Sequence, residues 1–139
     1  MTSSSSDRPG LPQWKVDIHT HLLPRAWPTF EGVDLQLTHF KDAPDRFGDK
    51  IPFEKPTGFV AQMEWRSSGA LFRKCRANLF DPEEVLRDCD SSGVDLQVAC
   101  TVPVMFNYQL EPTIGMEWSR FLNQDLGKFP AVSLVGSLV

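Results

Sequence analysis

Apolar and polar residues first alternate at Trp14–Leu22. Val16, Ile18 and Thr20 fall on one face of a predicted strand, and Asp17, His19 and His21 fall on the other. The period then dissolves. Pro24, Pro28, Gly32, Pro44, Gly48, Pro52, Pro56 and Gly58 interrupt the following residues. Residues 25–70 therefore read as a long irregular excursion, with a short helix near 25–30, a strand near 33–39 and a strand or turn over 59–65. Such long connections are uncommon in compact domains and often serve as lids or binding loops. Ser67 to Ala70 predict a turn into Leu71–Arg76.

Clearer periods follow. Asp81 as N-cap, Pro82 at the first helical position and Glu84 in capping-box spacing open a short helix with an apolar stripe of Val85, Leu86 and Cys89. Gly93 is its predicted stop. Val94, Leu96, Val98 and Cys100 then alternate with Asp95, Gln97, Ala99 and Thr101, as in a strand, which ends where Pro103 enters an apolar loop. A second helix is expected from Thr113 or Ile114 to Lys128, with Ile114, Trp118, Phe121, Leu122 and Leu126 on one face. The apolar run 131–139 reads as a buried parallel strand. A helix leading straight into a strand, followed by another helix and strand, predicts an α/β chain.

Composition narrows the class. The 139 residues fit one ordinary domain, and residues 1–13 have too little apolar surface to be anything but a disordered leader. A net charge of −4, with 14 basic residues in no run or stripe, argues against nucleic acid or an anionic membrane as partner. No apolar run approaches the roughly 18–20 residues of a membrane span. The three cysteines, Cys75, Cys89 and Cys100, lack metal-knuckle spacing and predict free, partly buried thiols. A cytosolic protein is expected.

The candidate chemistry centres on His19 and His21. Two residues apart on one strand face, they stand about 6.5–7 Å apart along the backbone, close enough for two imidazoles to meet at one ion. The triplet alone leaves two readings open, a metal site or a polar strand end with two solvated rings. Asp17 shares their face, as a neighbour of the metal shell or as a structural hydrogen-bonding group. His39 is isolated and reads as a surface or loop histidine. The acidic cluster Asp81–Glu84 is explained by capping.

With these residues placed, three blocks carry a resemblance: Val16–Pro24 with its H-x-H, Arg76–Glu83, and Thr101–Tyr108 with Val102-Pro103-Val104-Met105-Phe106. The chain resembles the amidohydrolase superfamily of metal-dependent (β/α)8 barrels. Within it, the order of the blocks is similar to that of a decarboxylase family of tryptophan catabolism. The resemblance spans nearly everything after residue 13, although the excursion near 41–69 is longer than that family's loop.

The resemblance implies about three of the eight strands of a TIM barrel, since a whole barrel needs roughly 200–250 residues. Residues 14–139 would be its N-terminal portion, truncated after the third strand. It implies His19 and His21 as zinc ligands, the remaining ligands and a catalytic histidine lying beyond residue 139. It also implies a small dicarboxylate substrate held by Arg73, with Phe72 as pocket wall and Arg76 as the competing arginine. Met105 and Phe106 would be either pocket mouth or packing. The implied reaction is non-oxidative decarboxylation at a metal-activated water, in a parent that could form a homodimer. A related hydrolase, an aromatic-acid decarboxylase or a catalytically inactive fragment are the competing readings.

Overall fold

Residues that alternate or carry turn signals form two separate sheets in the computed structural model, which describes residues 13–47 and 58–129. The architecture is mixed α/β. Strand β1 (Val16–Leu22) pairs in parallel with β5 (Leu96–Thr101), and β2 (Leu35–His39), β3 (Phe59–Trp65) and β4 (Leu71–Arg76) form an antiparallel sheet in the order β2-β3-β4. Helices α1 (Pro44–Phe47), α2 (Pro82–Ser92) and α3 (Pro112–Leu126) complete the elements used below.

The excursion is the largest departure from the sequence reading. Its described residues supply β2 and β3, close to the strands expected near 33–39 and over 59–65, to a three-stranded sheet that β4 completes, and residues 25–30 are not helical. Its order comes from pairing between distant strands, Leu37 opposite Met63 and Met63 opposite Arg73, which no local period reveals. One face of this sheet, with Leu35, Ala61, Met63 and Cys75, enters the main core beside Leu23, Val33, Phe80, Val102, Met105, Trp118 and Leu122. Trp118 fills the centre, stacks against Phe121, meets Phe30 edge-on and donates its indole N–H to the Met105 carbonyl at 2.6 Å.

The other face carries a polar network around Glu64, the only charged or polar residue among the described ones that is buried. Arg46 of α1 grips its carboxylate with both guanidinium nitrogens, and Gln36, Thr38 and Gln62 donate to the same two oxygens. A buried carboxylate is tolerated only when so supplied with donors.

Helix α2 begins and ends largely as its residues dictate. The Asp81 side chain accepts from the Glu83 N–H at 3.1 Å, and Gly93 takes the left-handed conformation at φ 63°. Gly93 N–H then reaches the Asp90 carbonyl and Val94 N–H the Cys89 carbonyl, a Schellman stop. The reciprocal half of the capping box is not made, because Glu84 pairs with Arg87 one turn on. Val85 and Cys89 are buried while Leu86 is exposed, so the apolar stripe is narrower than predicted. Helix α3 starts at Pro112 and ends at Leu126, close to the expected bounds. All three cysteines are free, two of them buried. The expected leader, apart from residue 13, and the strand expected at 131–139 lie outside the described residues.

Candidate metal centre

A break in regular pairing builds the site. From Asp17 to Thr20, β1 advances three residues while β5 advances two, from Gln97 to Ala99, so β1 carries a one-residue bulge at Ile18–His19. The simple alternation expected for this strand therefore fails. Thr20, expected on the face opposite Asp17, turns its hydroxyl onto the Asp17 carboxylate at 2.7 Å. Bulges re-aim side chains in this way and are common beside active sites.

The two imidazoles meet. His19 Nε2 and His21 Nε2 are 2.9 Å apart, with ring centroids at 4.8 Å and planes at 82°. The Thr101 carbonyl, 3.1 Å from His21 Nδ1, can only accept, so Nδ1 carries the proton and Nε2 of the neutral ring keeps its lone pair. His19 Nε2–H then donates to that lone pair, a proton that must leave this atom before it can ligate an ion. Two nitrogens at about 2.0–2.1 Å from one ion, at angles of about 90–110°, lie roughly 2.9–3.4 Å apart, so the pair fits as two ligands of a zinc-like ion. No cluster of three or more His, Cys, Asp or Glu residues suited to an ion occurs among the described residues. The Cys100 thiol approaches His21 at Nδ1, the ring nitrogen turned away from His19, and donates to the Thr20 carbonyl.

Asp17 is engaged by hydrogen bonds. Its carboxylate accepts from the His19 N–H at 3.0 Å, from the Thr20 hydroxyl and from Gln97 Nε2 at 3.3 Å. These donors, the His19 amide foremost, hold its carboxyl below the usual carboxylate range. That geometry assigns Asp17 a hydrogen-bonding role.

A cleft of about 360 Å³ joins these groups to Arg73, together with Asn78, Asp88 and Gln97. Asn78 donates to Asp88 at 2.5 Å, so both lining carboxylates are already engaged, whereas the Arg73 guanidinium has no ion-pair partner among the described residues. Arg73 is thus the cation left for an anionic ligand. Phe72 does not line the cleft. It occupies a bulge in β4, where Glu64 pairs with Leu71 and Met63 with Arg73, and its ring sits edge-on to Trp65 at 5.6 Å. Arg76 lies against the Phe59 ring instead. Met105 is fully buried, which makes it packing, and the more exposed Phe106 meets the Tyr108 ring at a tilt of 53°. His39, expected to be a surface or loop residue, closes β2, hydrogen-bonds the Arg25 carbonyl at 2.7 Å and packs on Phe80.

A larger hollow, about 480 Å³, runs along the outer side of α3 past Met116, Arg120 and Gln124 and brings no catalytic groups together. Sequence reasoning missed Gln97, Asn78 and Asp88 as parts of the cleft, and Thr101 as the partner of His21. Their roles come from the β1–β5 pairing and from the packing of α2, neither of which leaves a local signal.

No protein-family profile matches the chain. Two curated relatives do. It is 28% identical over 114 residues to a 2-amino-3-carboxymuconate-6-semialdehyde decarboxylase of Dictyostelium discoideum, covering 82% of this chain. It is 32% identical over 122 residues to the protein of the same name from Caenorhabditis elegans, covering 84% of this chain. The resemblance read from the three sequence blocks is borne out by these relatives. The chain spans 28% and 27% of their respective lengths.

Proposed function

We propose that these residues belong to a metal-dependent decarboxylase acting on 2-amino-3-carboxymuconate 6-semialdehyde, a step of tryptophan catabolism that limits quinolinate formation. One observation carries the reading: two imidazole nitrogens 2.9 Å apart share a cleft with a guanidinium that has no ion-pair partner among the described residues. The names of the two relatives supply the substrate. In this reading the parent fold is a (β/α)8 barrel, with β1 and β5 as its first two strands.

His19 and His21 would hold zinc through Nε2, His21 being oriented by the Thr101 carbonyl. When bound, the ion supplies Lewis acidity, enough to bring the pKa of water toward about 7. Arg73 would pair with a substrate carboxylate in the planar two-bond geometry a guanidinium favours, which fixes the substrate against the histidines. Decarboxylation then breaks a carbon–carbon bond, releases CO2 and returns a proton to the carbon left behind.

The test is disappearance of the semialdehyde's absorbance with the longest natural polypeptide that contains these residues, zinc-loaded. Turnover lost in His19→Ala and His21→Ala, with Arg73→Ala raising KM by about tenfold or more, supports the reading. Unchanged absorbance with the zinc-loaded parent sinks it. A second reading concerns the 139-residue polypeptide alone. Because its described residues offer two ligands and no third, it should bind zinc weakly and lack activity. Tight, stoichiometric zinc after dialysis would overturn that.

A further inference from the structure

We propose that Asp17 is the positioning residue of the histidine pair: its carboxylate pins the bulge in β1 and so decides which way His19 and His21 face. The bulge leaves the His19 N–H outside the regular ladder, and Asp17 Oδ1 satisfies it at 3.0 Å. Oδ2 takes the Thr20 hydroxyl at 2.7 Å and Gln97 Nε2 at 3.3 Å, tying both sides of the register shift to one group. In a strand, a slip of one residue turns every following side chain to the opposite face. If the bulge relaxed, His21 would slip from its place opposite Cys100 to one opposite Thr101 and turn to the other face of the pair, and its Nδ1 would lose the Thr101 carbonyl. Asp17 touches neither imidazole ring through a hydrogen bond, so it acts through the backbone of His19 and the side chain of Thr20.

The metal part of this inference rests on the function proposed above, so the experiment has one arm without metal. In the 139-residue chain, long-range ¹⁵N–¹H correlation spectra report the tautomer of each imidazole. Zinc affinity is measured separately by competition with a chromogenic chelator. Wild type should show His21 protonated at Nδ1. Asp17→Ala should abolish that single tautomer and weaken zinc by about tenfold or more. Asp17→Asn, whose amide oxygen can still accept from the His19 N–H, should restore most of both.

Failure of the two readings is distinguishable. If His19→Ala leaves zinc affinity unchanged, the metal reading fails and the tautomer arm alone decides the role of Asp17. If Asp17→Ala folds and keeps both the tautomer and an affinity within about twofold of wild type, the proposal is overturned, because loss of an outer partner ordinarily costs far more. If Asp17→Ala does not fold, Thr20→Val replaces it. Removing that one hydrogen bond to the carboxylate should weaken zinc by about fivefold and shift the His19 amide resonance, and no change in either overturns the proposal.

Discussion

Glu64 and Arg46 show how one side chain can fix a segment that local sequence leaves undefined. Burial by itself would raise the Glu64 carboxyl, but Arg46, Gln62, Thr38 and Gln36 together outweigh it and bring the pKa down to about 2. Replacing Arg46 by Ala removes the charged donor and leaves three neutral ones. The expected cost is therefore about 1–3 kcal/mol, less than for stripping a buried carboxylate of every partner. A urea unfolding midpoint measured for Arg46→Ala against wild type checks this. Arg46→Lys should recover only part of the loss, since an ammonium cannot span both oxygens as the guanidinium does.

At the scale of the element, α2 is held by its ends as well as by its narrow apolar stripe. Asp81→Ala removes the acceptor for the Glu83 N–H and should cost about 1 kcal/mol. Gly93→Ala forces a Cβ into the left-handed region, with open space around it, so the cost is conformational at about 1–2 kcal/mol. Both are read from thermal unfolding, and the two should add, since they lie at opposite ends of the helix. Much of this element was legible beforehand: Asp81, Pro82 and Gly93 act on their own neighbours. The bulge in β1 was not, because it depends on which residue of β5 faces Asp17.

For the whole molecule, the depressed Glu64 carboxyl makes folding stability depend on acid. Its folded pKa lies below the ordinary 4.5, so the unfolded chain binds the proton more readily. The stabilisation is fully present above about pH 4.5 and is lost as the pH falls toward 2, amounting to about 3 kcal/mol. Asp17, lowered chiefly by the His19 amide, works in the same direction. Thermal melts between pH 6 and about 3 should show a steeper loss for wild type than for Glu64→Gln, which has no carboxyl to titrate there. Equal slopes would show that Glu64 contributes nothing to acid sensitivity. On a different side of the molecule, Val16, Ile18 and Val98 leave one side of the parallel pair exposed, Ile18 at 77%. Among the described residues, no helix is long and apolar enough to cross a membrane.

The sequence by itself determined the strand that carries H-x-H, the helix with its cap and glycine stop, the strand after it and the helix around Trp118. Each of these follows from side-chain period or from residues acting on their immediate neighbours. It also carried the resemblance, because the three blocks are short and contiguous. Tertiary structure alone decided that β2, β3 and β4 pair into one sheet, that Arg73 faces the cleft while Phe72 turns to Trp65, and that the two imidazoles meet. Those outcomes depend on pairing between residues far apart in the chain, where one bulge changes the face a side chain presents, and local alternation carries no record of it.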